Sequence, residues 1–120
     1  MDHTKRCVTA MILAAGVMVS AGAASAAEPS EQMEAFFGFT PAQQHSIVRN
    51  AIIMTGVIAS QAEPKIATCL DDWYSDSSEQ MRDRESEIIG TMHDLPEYVP
   101  EAIILAVIEK ACGKFKRAGS

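Results

Sequence analysis

Beyond the N-terminal region, the longest run of apolar residues is Ala102 to Ile108, and Pro96 and Pro100 stand just ahead of it. A surface helix with one apolar stripe does not read this way, so the run predicts a largely buried helix from Pro100 to Gly113. Its β-branched content leaves a strand as the alternative. Pro100 suits the first helical position, where no backbone donor is needed, and each proline disfavours helix at the residue before it. Leu95 to Val99 is therefore expected to be an extended connector. Gly113 can close the helix in a left-handed conformation, and Lys110 and Lys114 place positive charge at the negative end of its dipole.

Upstream, Thr40-Pro41-Ala42-Gln43 combines an N-cap, a proline at the first helical position and a glutamine three residues on, the pattern of a capping box. The helix it opens is expected to run from Pro41 to about Gln61. Ile47, Val48, Ala51, Ile52, Met54, Thr55 and Ile58 recur at helical spacing, leaving Gln44, Arg49 and Asn50 for the other face. Gly56 inside it costs about 1 kcal/mol relative to alanine and marks either close packing of another helix or a bend. Pro64 then starts a second helix to Tyr74, with Ile66, Cys69, Leu70 and Trp73 on one stripe.

Ser75 to Ser78 reads as a turn, and either Asp76 with Glu79 or Ser77 with Gln80 can cap the next helix, Ser78 to His93. Its apolar stripe, Met81, Ile88, Ile89 and Met92, is thin. This helix is expected to be the most exposed, with Arg82 pairing with Glu79 and Glu85, and Arg84 with Glu87. Ahead of all these, Met33, Phe36 and Phe37 suit a short amphipathic turn or helix within Glu28 to Gly38. The pattern as a whole predicts an all-α bundle of four to five helices over residues 41–115, after a partly ordered segment 27–40 and before a short basic tail, 116–120.

The chain of 120 residues has room for one such domain. Lys5 and Arg6 precede the apolar stretch Cys7 to Val19, and small residues follow to Ala24-Ser25-Ala26, an A-x-A cleavage pattern. Residues 1–26 therefore read as a secretory signal peptide, with a retained membrane anchor as the alternative. Cleavage leaves two cysteines, Cys69 and Cys112, which in a small domain of an oxidising compartment are expected to form one disulfide. The closed loop contributes roughly 4 kcal/mol in the chain-entropy model. The expected location is the periplasm or the exterior.

The charge is −6 overall, with Asp71 to Glu101 strongly acidic and the last residues basic. A nucleic-acid partner needs a basic surface, so that class is disfavoured. The acidic stretch is either a solvated face or a docking surface for a basic protein, with Asp71, Asp72, Trp73, Tyr74, Asp76 and Glu79 as the candidate contacts. No H-E-x-x-H, P-loop or G-x-S-x-G motif is present, and no thiol is free once the bridge forms. His45-Ser46 and His93-Asp94 are adjacent only in sequence, the acidic residues lack the spacing of a calcium loop, and the methionines sit at core-stripe positions. Neither catalysis, a metal nor a cofactor is expected.

With Cys69 and the stretch LPEYVPEAIILAVIEKAC in place, the chain resembles the small exported helical proteins of the Tai type, immunity proteins that protect bacteria against amidase toxins delivered by type VI secretion. The resemblance covers Gln44 to Cys112 and rests on a helix leading to the first cysteine, a charged middle helix, and a proline-led apolar helix ending at the second. It implies a non-catalytic binding protein of the immunity or inhibitor type. In size, helicity and a single bridge the chain also resembles the Hde-type acid-resistance chaperones of the periplasm. That likeness implies a fold loosened by acid, in which neutralised carboxylates expose apolar surface to unfolding clients.

Overall fold

The computed structural model describes residues 27–116; the stretch read as a signal peptide and all but the first residue of the basic tail lie outside them. Five helices follow one another: α1 (Glu31–Phe37), α2 (Pro41–Ala62), α3 (Pro64–Tyr74), α4 (Ser78–Asp94) and α5 (Pro100–Cys112). There is no strand among the described residues, so the apolar run of α5 is helical. The protein is an all-α bundle with one disulfide, Cys69 to Cys112. That bridge joins α3 to the end of α5 across 43 positions, with Cα atoms 5.6 Å apart.

The helix starts follow their local chemistry. Thr40 Oγ1 accepts from the Gln43 amide while Gln43 Oε1 accepts from the Thr40 amide, which completes the capping box of α2. Of the two caps considered for α4, Ser77 is the one used, its Oγ accepting from the Gln80 amide. The Gln80 side chain instead donates to the carbonyls of Asp72 and Trp73, fastening α4 to the end of α3. Ser30 caps α1 by accepting from the Met33 amide; it also donates through its own amide to Pro96 and through Oγ to the Tyr98 carbonyl. The connector is thereby tied to α1. It is a turn about Pro96 and Glu97, and of the two residues that precede prolines only Val99 is extended, Leu95 standing at φ −129° and ψ 61°.

The core gathers Met33 and Phe36 from α1, Val48, Ile52 and Ala59 from α2, and Ile66, Leu70 and Tyr74 from α3. Ile88 and Met92 from α4, with Ile103, Ile104 and Ile108 from α5, complete it. Two expectations fail here, and one of the two readings of Gly56 is removed. The last helix buries only one side, since Ala102, Leu105 and Ala106 face solvent. Within α3 the inward residue of the last turn is Tyr74 and not Trp73, because Ile66, Leu70 and Tyr74 align at steps of four. And Gly56 marks no close helix contact: nothing lies within 4 Å of where its Cβ would stand. Gly113 does have positive φ, 95°, but with ψ 165° it leads the chain out in an extended path and not in a left-handed cap.

Candidate functional site

The helix expected to be the most exposed carries the only buried charge among the described residues, the fully inaccessible Glu85. Its place follows from register: Met81, Glu85, Ile88 and Met92 recur at steps of four, three and four, so the carboxylate occupies an inward position of α4. A buried carboxylate is tolerated only where its oxygens are satisfied. His45 Nδ1 donates to Oε1 at 2.8 Å, Arg49 Nε to Oε2 at 3.0 Å and Arg49 Nη2 to Oε1 at 3.2 Å, while the Tyr74 hydroxyl donates to Oε2. His45 and Arg49 stand one turn apart on α2, so both reach the same carboxylate. Helices α2, α3 and α4 are thus tied at one point.

The electrostatics follow from those contacts. Burial pushes the Glu85 carboxyl upward, but the hydrogen bonds from Arg49, Tyr74 and His45 outweigh it and hold the group below the usual carboxylate range. Burial and the Glu85 carboxylate together raise the Tyr74 phenol well above its ordinary value. Arg49 is held protonated by the same partners. Arg82 does not pair with Glu85 as expected, because Glu85 points inward; the Arg84–Glu87 pair does form, at 3.3 Å.

His45 therefore is no free helix-end histidine. Ser46 beside it diverges by about 100° round the helix, a geometry that sets the two side chains apart. His93 lies against Phe37, the rings stacked at 4.3 Å. Both histidines are held by packing or hydrogen bonding, and no group of His, Cys, Asp and Glu among the described residues converges as a metal site.

The six candidate contacts divide. Asp71, Asp72, Asp76 and Glu79 are all exposed at the corner between α3 and α4, and among the described residues none has a salt-bridge partner. Trp73 is half-buried, with the Arg84 guanidinium 5.0 Å above its ring. Tyr74 is a correction: it is buried and bonded to Glu85, so its ring is unavailable to a partner.

A second feature departs from the expected stripe of α2. Val48, Ile52 and Ala59 face inward, whereas Ile47, Ile53, Met54, Val57 and Ile58 are 37–58% exposed. Arg49 stands between the two faces, bonded to Glu85, and Asn50 lies among the outward residues. The helix carries apolar residues on both sides, and only one is covered. Ile53 and Val57 also line a shallow groove of about 350 Å³ against α3, with Asp71 on its rim. The apolar row and the acidic corner therefore meet.

No family model, curated protein or solved structure matches the chain. No helix among the described residues is long and apolar enough to cross a membrane.

Proposed function

We propose that the chain is an exported, non-catalytic protein-binding domain that acts from the periplasm or the exterior. The observation that supports this most is the uncovered apolar face of α2, five large side chains on a helix whose other face already fills the core. Contiguous apolar surface of this kind is a mark of protein interfaces. The domain behind it is stiffened by the Cys69–Cys112 bridge and the Glu85 contacts, which favours presentation of a preformed surface.

The finer reading is an immunity or inhibitor protein, in line with the Tai-type resemblance. Its acidic corner, Asp71, Asp72, Asp76 and Glu79, engages a basic site on a toxin or enzyme, steering encounter and setting specificity. The test is a low-salt capture from periplasmic extract with the oxidised protein and with Asp71→Lys/Asp72→Lys. A single stoichiometric partner, lost on charge reversal, supports this reading; absence of any stoichiometric complex counts against it.

The acid-stress chaperone is the second reading, and Glu85 is the observation that favours it. Protonating that carboxylate removes the charge on which Arg49, His45 and Tyr74 converge, loosening three helices together. The oxidised protein would then suppress light scattering by an aggregating client at about pH 2 to 3 and not at neutral pH. Equal behaviour at both values removes this reading.

A further inference from the structure

We infer that the outward face of α2 is the seam of a symmetric dimer, occupied by a second copy of this chain lying antiparallel across it. This deepens the reading of α2 as a protein interface and rests on it.

Along the uncovered face, Gln43, Ile47, Asn50, Met54, Val57 and Gln61 follow one another at steps of four and three residues, and all six are exposed. That is the spacing of a coiled-coil seam. The series is also symmetric: read from either end, the steps are the same. An antiparallel copy therefore sets Ile47 against Val57, Asn50 against Met54, and Gln43 against Gln61, each contact made twice as a two-fold axis requires. Ile53 and Ile58 flank the seam on its two sides and widen it, while the glutamines close its ends with polar groups.

Charge selects the occupant. Helix α2 contains no aspartate or glutamate, and its single cation, Arg49, is bound to Glu85. A basic partner would gain no ion pair from α2 itself, the carboxylate beside it being Asp71 of α3 at the groove by Ile53 and Val57. A membrane surface would meet none of the lysines and arginines that interfacial helices carry. Two copies of an acidic chain repel wherever their charged surfaces approach, and α2 offers a long contact without acidic residues of its own. A standard interface takes about 800 Å² from each partner, and five side chains near half exposure supply roughly half of that, so the dimer is reversible and concentration-dependent. The acidic corner is left free for a different protein.

The test uses the oxidised chain as recovered from the cell, in sedimentation velocity across a concentration series. Wild type is expected to pass from one chain to two. Ile47→Lys and Val57→Glu should each weaken self-association by about a hundredfold, because each buries two unpaired charges at the seam. Mixed together, the two variants should form a heterodimer, since the lysine introduced in one copy then faces the glutamate introduced in the other, while the second Ile47–Val57 contact stays intact. Circular dichroism, and a urea midpoint unchanged at a dilution where the wild type is a single chain, show that the variants fold. A wild type that stays monomeric at high concentration overturns the dimer. If Val57→Glu then still abolishes a stoichiometric complex with another protein, the interface reading stands and only the occupant is wrong; if it abolishes nothing, both fail. Self-association without rescue in the mixture overturns the antiparallel register.

Discussion

Replacing Glu85 by glutamine keeps the shape of the side chain and removes its charge, which isolates what the buried carboxylate contributes. Hydrogen bonds to a charged group are worth about 1.5–3 kcal/mol each, against about 1 for neutral pairs. Four such bonds converge on Glu85, two of them from Arg49, whose 44% exposed side chain is screened by water and counts for less. An amide can still accept from Arg49, but it turns an NH2 group toward donors. The expected loss at neutral pH is about 3 kcal/mol, a large part of the roughly 5–15 kcal/mol that holds a small domain.

Urea unfolding of the oxidised protein measures this loss directly, and pH supplies the control. Because the folded Glu85 carboxyl is held below its unfolded value, its stabilisation is present above about pH 4.3 and is lost as pH falls through the depressed folded value. The gap between wild type and Glu85→Gln should therefore close in acid. A gap under about 0.5 kcal/mol at pH 7, or one that does not change with pH, would refute the role assigned to the buried charge.

Other consequences follow from the same contacts. Tyr74 has a raised folded value, so its contribution is intact below about pH 10 and is lost progressively as pH rises from there through the raised folded value; Tyr74→Phe should be about 1–2 kcal/mol less stable at neutral pH and lose that alkaline limb in a pH series of urea midpoints. Cys69→Ser/Cys112→Ser, or reduction, should cost roughly 4 kcal/mol, read from thermal or urea unfolding, with amide hydrogen exchange in the reduced form rising first in α5. Thr40→Ala should cost about 1 kcal/mol by removing one half of the capping box, a change that hydrogen exchange would localise to the first turn of α2.

Which features the sequence discloses depends on how local their causes are. Helix starts at Pro41, Pro64 and Pro100 are set by proline and capping chemistry within four residues, and all three stand where that chemistry puts them. The inward turn of Tyr74 in place of Trp73 is a difference of one position, decided by which residue continues the step of four from Ile66 and Leu70. Glu85 was hidden for another reason. A glutamate just after Arg82 and Arg84 in a run of charges reads as solvated, and three of the four bonds that make its burial tolerable come from residues 36 and 40 positions away on α2. Its register with Met81, Ile88 and Met92 was the available signal. The two apolar faces of α2 are indistinct in the sequence for a different cause: apolar residues at helical spacing do not say which side the core will occupy.

Covering of the outward face of α2 is open to direct measurement through its methionine. Met54 is 58% exposed on that face, while Met33 and Met92 are fully buried and serve as internal references. Brief peroxide labelling is applied to the chain inside intact cells and to the same oxidised protein in dilute solution, and sulfoxide is read by mass spectrometry. Met54 should react several-fold more slowly in the cell, with Met33 and Met92 unreactive in both. Equal reaction of Met54 in the two settings, with the buried pair still protected, would show that nothing covers α2 and would contradict its role as a protein interface.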